Sequence, residues 1–209
     1  MVRVKVCGLT NLEDALVAVT AGADALGFNF WPGSSRYIEP QRAAEIVAHL
    51  PPFVTPVGVF VNEAPPGVER RARRGGVGAV QLHGDETPDA VAALAAAGFT
   101  VLKAVRVGRG FQPRLLREYA GAHVFLLDAS VKGRRGGTGQ SFDWRVAQRA
   151  GRYARILLAG GLTSENVVEA IRQGRPYGVD VCTGVEEKPG LKNHDRLRAF
   201  IRRAKGVRA

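Results

Sequence analysis

Along this chain, short runs rich in valine, leucine and isoleucine alternate eight times with alanine-rich amphipathic segments, and this alternation narrows the choice of fold more than any other feature. Short apolar runs bounded by turn residues read as strands, and the amphipathic segments between them are long enough to carry the chain back over a sheet. Repetition of the pair therefore specifies parallel strands with helices packed on them. Strands are predicted at 2–7, 24–28, 55–61, 78–82, 100–105, 123–128, 155–159 and 178–182, and helices at 11–21, 40–49, 65–74, 87–97, 112–119, 143–150, 164–173 and 193–205. Eight βα units in 209 residues predict an α/β fold of one domain, 1–209, closed as a (β/α)8 TIM barrel. An open doubly wound sheet is the alternative. It is disfavoured because no G-x-G-x-x-G follows the first strand, where Cys7-Gly8-Leu9-Thr10 stands instead.

Local signals support these helix positions. Thr10 followed by Glu13 reads as a capping box, and Gly22 lies just past the first helix. Glu39-Pro40 and Thr87-Pro88 put proline in a first turn, where its missing N–H costs nothing. No linker divides the chain.

Composition excludes several functions. No apolar stretch of about 18 residues occurs, and the N-terminus enters a strand without a charged-then-apolar leader, so neither membrane nor export is expected and the cytoplasm is. Two cysteines, Cys7 and Cys182, do not make a disulfide framework, and the four histidines lack ligand spacing, so no metal is expected. The net charge of +11 would suit nucleic acid or a small anion. Its arginines cluster at Arg70, Arg71, Arg73 and Arg74 and at Arg196, Arg198, Arg202 and Arg203, on helical segments that lack the regular aromatic interleaving of a nucleic-acid patch. Those read as solvated helix faces, and no nucleic-acid partner is expected. Monomer and homodimer both remain open.

Helices cover the outside of such a barrel, so polar strand residues must take the inward parity of a period-two strand. Val4 and Val6 then point out and Lys5 and Cys7 in; Val80 and Leu82 out, Gln81 and His83 in; Phe125 and Leu127 out, Asp128 in; Val179 and Val181 out, Asp180 and Cys182 in. Active sites of this architecture lie at the C-terminal strand ends, where Cys7, His83, Asp128 and Asp180 should converge. Cys7, read as standing at a helix N-terminus, is a candidate base or nucleophile as thiolate, or else a small buried filler. Asp128 closes an apolar run where desolvation favours the protonated carboxyl, a candidate general acid; the alternative is a residue that pins the next loop. His83 is either a participant or a neutral barrel histidine, and Asp180 either a site residue or the partner of Lys5.

The loops after strands seven and eight, Ala159-Gly160-Gly161 and Cys182-Thr183-Gly184-Val185, have the glycines and hydroxyl of a phosphate receptor, although each glycine pair alone is compatible with a plain turn. The run Lys132-Gly133-Arg134-Arg135-Gly136-Gly137-Thr138-Gly139-Gln140 reads as a mobile flap or a simple surface loop, and lacks the lysine of a Walker loop. Arg36, in the turn Trp31-Pro32-Gly33-Ser34-Ser35-Arg36, suits a carboxylate, with a solvated arginine as the alternative. A ligand with phosphate at one end and carboxylate at the other fits this set.

These residues together resemble the phosphoribosylanthranilate isomerase family of tryptophan biosynthesis. The resemblance runs through Lys5-Val6-Cys7-Gly8-Leu9-Thr10, Gly27-Phe28, Ser35-Arg36, Gln81-Leu82-His83-Gly84, Leu127-Asp128, Gly136-Gly137-Thr138-Gly139, Phe142-Asp143-Trp144, Ala159-Gly160-Gly161-Leu162 and Val179-Asp180-Val181, essentially the whole chain. It implies a cofactor-free Amadori rearrangement of a small phosphorylated aminoaldose, with Asp128 as general acid and Cys7 as general base. Arg36 would hold the anthranilate carboxylate, and Gly160, Gly161, Thr183 and Gly184 the phosphate; His83 and Asp180 would stand among the substrate-binding groups. Where the family usually shows two serines after the strand-eight Asp-Val, this chain has Cys182-Thr183. The change keeps one hydroxyl and sets a second thiol beside Cys7 across the seam of strands one and eight, where oxidation could join them. Among rival barrels, a metal-dependent epimerase needs more histidine ligands than His83, and indole-glycerol-phosphate synthase calls for an additional N-terminal segment. A bifunctional isomerase using two aspartates is disfavoured by Cys7.

Overall fold

Parallel strands β1 (Arg3–Cys7), β2 (Ala25–Asn29), β3 (Thr55–Phe60), β4 (Ala79–Leu82), β5 (Thr100–Arg106), β6 (Val124–Asp128), β7 (Ile156–Ala159) and β8 (Gly178–Val181) pair in chain order and close when β8 returns to β1, with Val4 opposite Val179 and Lys5 opposite Asp180. The computed structural model describes residues 1–108, 110–128 and 143–207. Helices α1 (Leu12–Ala21), α2 (Pro40–Val47), α3 (Pro65–Arg74), α4 (Pro88–Ala96), α5 (Arg145–Ala150), α6 (Val167–Gly174) and α7 (His194–Lys205) surround this ring. The single-domain (β/α)8 barrel expected from the alternation is the observed fold. Among the described residues no helix is long and apolar enough to cross a membrane.

Two apolar layers follow from strand parity. Outward residues such as Val4, Val6, Phe28, Val80, Leu82, Phe125, Leu127, Val179 and Val181 join helix residues including Ala15, Ala18, Phe200 and Ile201 in the main core. Inward residues Val57, Ala79, Leu102, Ala104, Leu126, Leu157 and Ala159 fill the barrel axis as a separate cluster. The axis is thus a packed plug, and a ligand can enter only beyond the strand ends.

Several local details depart from expectation. The cap of α1 is Asn11, whose side chain accepts from the Asp14 amide at 2.8 Å, while the Thr10 hydroxyl donates to the Gly190 carbonyl, so Thr10 and Glu13 do not form a capping box. Gly22 does end α1 in the left-handed region at φ 102°, and Pro40 and Pro88 do occupy first-turn positions. The fifth predicted helix is a 3-10 helix, Pro113–Glu118; Gln112 supplies no side-chain cap, and Leu116 is its buried anchor, too little to hold a full α-helix there. Beyond β8 a three-residue 3-10 turn, Thr183–Val185, leads into an antiparallel hairpin of β9 (Glu186–Lys188) and β10 (Leu191–Lys192) that was not predicted.

Charged groups are buried where the strand ends meet their loops. Lys103 Nζ on β5 donates to Glu86 Oε2 at 2.9 Å and to the carbonyls of Gly84 at 2.8 Å and Ala104 at 3.0 Å. Glu86 in turn accepts from the amides of Asn62 and Gly84, so one pair fastens the ends of β3, β4 and β5. Burial alone would raise the Glu86 pKa, but Lys103 and the Asn62 amide outweigh it and hold the carboxyl below its usual range.

A carboxyl depressed by folding contributes stability that is present above its unfolded pKa of about 4.3 and is lost as pH falls through the lower folded value. Urea unfolding across that acid interval should show the loss in the wild type. Glu86→Gln should flatten that part of the profile and lower stability near neutrality by about 3 kcal/mol, because Lys103 stays buried without its counter-charge.

Candidate active site

A cleft of about 460 Å³ opens at the C-terminal strand ends. Cys7, Arg36, His83, Asp128, Gly160, Gly161, Asp180 and Thr183 all line it. Gly184 does not. A Cβ on Gly184 would overlap the Leu162 carbonyl oxygen, so packing of the turn requires glycine there. The run 132–140 lies outside the described residues.

Cys7 is the last residue of β1 and only 9% exposed. Since α1 begins at Leu12, Cys7 is not at a helix N-terminus, and the positive charge near it comes from side chains instead. Lys5 Nζ, on the same inward face, donates to Asp180 Oδ1 at 2.7 Å. Burial works to lower the Lys5 pKa, but the neighbouring Asp180 and Cys7 more than reverse this and keep the ammonium charged. Asp180 therefore both lines the cleft and pairs with Lys5, the alternatives that its sequence position left open. Cys182 lies alongside; burial, then the nearness of Cys7, pushes its thiol up to about 12. Both cysteines are free.

The backbone around Cys7 is shaped for close approach. Gly8 has φ +75°, and a Cβ on it would come within 2.6 Å of Arg36 Cδ and 2.9 Å of Cys182 Sγ. A Cβ on Gly27, opposite Cys7 on β2, would come within 2.8 Å of the Cys7 sulfur. Glycine at both positions lets the thiol and the Arg36 stem share one corner of the cleft.

Across the ring, Asp128 ends β6 opposite Arg106 of β5, and both line the cleft. Gln81 Nε2 lies 2.7 Å from His83 Nδ1, which turns His83 Nε2 toward Asp128 Oδ2 at 3.6 Å. His83 is thus a neighbour of Asp128 in the cleft. Gln81 Oε1 is buried and has no hydrogen-bond partner among the described residues.

Arg36 is not a solvated arginine. Its Nε donates to Glu186 Oε1 at 2.8 Å and its Nη2 to Glu186 Oε2 at 2.6 Å. These bonds hold the guanidinium charged against the opposing effect of burial. Gly160 and Gly161 take φ +88° and +66° in the turn after β7 and line the cleft together with Thr183 after β8. Sequence reasoning missed Asn29, Trp31, Arg106 and Glu186. Arg106 fell beyond the predicted end of strand five, and Glu186 belongs to a hairpin too short to show alternation.

A family model described as N-(5'phosphoribosyl)anthranilate (PRA) isomerase matches residues 4–203. The chain belongs to this family. It is 52% identical over 206 residues to the N-(5'-phosphoribosyl)anthranilate isomerase of Trichlorobacter lovleyi, covering 98% of each chain, and 51% identical to that of Geobacter sulfurreducens, covering 99% of this chain and 100% of the relative. Phosphoribosyl anthranilate isomerase from Thermotoga maritima superposes with a TM-score of 0.88 at 45% identity, covering 99% of this chain and 100% of the other. A solved isomerase in complex with reduced 1-(o-carboxyphenylamino)-1-deoxyribulose 5-phosphate superposes at 0.85 and 44% identity, with the same coverage. Like those relatives, this barrel is an isomerase of the family.

Gly8→Ala should be doubly unfavourable, through its positive φ and through the displaced Arg36 stem. Urea unfolding should show a loss of at least about 1 kcal/mol, and the substrate KM should rise.

Proposed function

We propose that this isomerase converts N-(5'-phosphoribosyl)anthranilate to 1-(2-carboxyphenylamino)-1-deoxyribulose 5-phosphate by an Amadori rearrangement, with Asp128 as general acid and Cys7 as general base. The observation that carries this reading is the placement of Cys7 on β1 and Asp128 on β6 in one cleft, whose rim includes Arg36 and the paired loops after β7 and β8. Protonated Asp128 gives its proton to the ribose ring oxygen as the C1–O bond breaks, opening the ring to an iminium. Cys7, as thiolate, removes the C2 proton, and the C2–H electrons form an enolamine as the iminium is neutralised. Tautomerisation then gives the ketone, and the two side chains finish with exchanged protons, which solvent restores.

Surrounding groups support the roles. The ammonium of Lys5 and the guanidinium of Arg36 stand close to the sulfur, where they oppose the cost of a negative charge. His83 faces the Asp128 carboxyl and can hydrogen-bond it as it gains and loses its proton. Arg36 holds the anthranilate carboxylate; Gly160, Gly161 and Thr183 hold the phosphate, with backbone N–H groups and one hydroxyl as donors. The step balances among the substrate, the two side chains and solvent protons. A phosphorylated substrate and two free thiols fit the cytoplasm.

Cys7→Ser and Asp128→Asn should each lower kcat by at least about 100-fold, with unfolding midpoints near the wild-type value; loss of substrate fluorescence is the assay. Turnover retained in either variant would remove that residue from its role. Arg36→Ala should act chiefly on KM, because its contact with the carboxylate is the same before and during the chemistry.

A further inference from the structure

We infer that Glu186 is a positioning residue for substrate binding: it locks the Arg36 guanidinium in a single orientation, and the buried Lys192 cancels the charge it brings. This rests on the reading of Arg36 as the carboxylate receptor and adds to it the part of the fold that aims it.

Glu186 opens β9, with its side chain 5% exposed. Its two oxygens engage Arg36 Nε and Nη2, a planar two-point contact that fixes the guanidinium rotation. The stem of Arg36 is held separately, against Gly8. What remains for a ligand is the Nη1 to Nη2 end, where Ser35 Oγ lies 3.3 Å from Nη1. Arginine has many rotamers, and one already fixed before the ligand arrives spares the ligand that ordering cost.

A carboxylate beside a carboxylate receptor is adverse unless it is neutralised. Lys192, on β10 and with 0% of its side chain exposed, places Nζ 3.1 Å from Glu186 Oε1 and 2.6 Å from the Cys7 carbonyl. The Gly190 amide also donates to Glu186 Oε1, at 3.2 Å. Two cations and one anion leave the cluster one net positive charge, matched to one carboxylate. Burial opposes ionisation of Glu186, but Arg36 and Lys192 outweigh it and keep the group charged. The same Lys192 bond ties the hairpin to the backbone of Cys7, so the receptor and the base are set from one support.

The test compares binding of reduced 1-(o-carboxyphenylamino)-1-deoxyribulose 5-phosphate with that of the same compound lacking the carboxyl group, by calorimetry, in wild type, Glu186→Gln and Arg36→Ala. Glu186→Gln is expected to weaken the carboxylate ligand about tenfold and leave the carboxyl-free one little changed, with KM rising more than kcat falls. Equal losses on both ligands would make Glu186 a general support of the hairpin and overturn the inference. Tighter binding of the carboxylate ligand would overturn it as well, since it would show the local charge alone to matter. If Arg36→Ala weakens both ligands equally, the receptor reading itself fails; if it is selective and Glu186→Gln is not, only the present inference fails. Should Glu186→Gln not fold because Lys192 is left uncompensated, Glu186→Gln with Lys192→Met keeps the hairpin neutral and reads the same selectivity.

Discussion

Helices packed over the strands turn polar strand residues toward the barrel axis, and Lys103, on the outward parity between Leu102 and Ala104, is accommodated through its pairing with Glu86. That axis is filled by Val57, Ala79, Leu102, Leu126 and Leu157, with Lys5 buried beside them, and Cys7, His83, Asp128 and Asp180 gather in the cleft at the C-terminal ends. The apolar packing of the barrel and the polarity of its cleft are one consequence of the same exclusion. A strand with period two cannot bury both its neighbours outward, and each β-branched residue facing a helix forces the residue beside it toward the site.

Charge buried in this way is tolerated only in pairs, and the pairs are distributed around the ring. Lys5 with Asp180 joins β1 to β8, and Lys103 with Glu86 joins β5 to the loop after β4. Lys192 and Arg36 with Glu186 join the hairpin to the β2 loop. Such pairs contribute little net stability over apolar packing, because desolvation consumes most of their attraction, yet removing one partner is costly. Their value here is geometric. They tie strand to strand, strand to loop and loop to hairpin around the mouth, so cleft residues from different strands are held in register. Asp180 shows the double use: its carboxylate anchors Lys5 and also faces the cleft.

This physics explains what could be read from the sequence. Strand parity places Cys7, His83, Asp128 and Asp180 correctly because alternation is local and the outward Val4, Val80, Leu127 and Val179 declare the pattern. The reason first assigned to Cys7, a helix N-terminus, is wrong by the length of the loop, since Gly8 to Asn11 separates it from α1. The field at the sulfur comes from Lys5 and Arg36, which neighbour Cys7 through the fold. The hairpin that carries Glu186 and Lys192 was illegible for a similar reason. Two strands of three and two residues carry no periodicity, and Lys192 meets Cys7 only because β8 closes on β1. Gly184 carries a demand that its loop sequence does not show: an added Cβ would overlap the Leu162 carbonyl oxygen, so packing requires glycine there whatever its backbone N–H binds.

The state of Cys182 follows from the same charges. A second thiolate beside Cys7 would repel it, but burial keeps Cys182 protonated well above neutral pH. As a neutral thiol it points a weak donor toward Glu186 Oε1 at 3.8 Å and leaves Lys192 and Arg36 to balance that carboxylate. Two sulfurs can therefore share the corner opened by Gly8, with Cys182 held there as a neutral thiol.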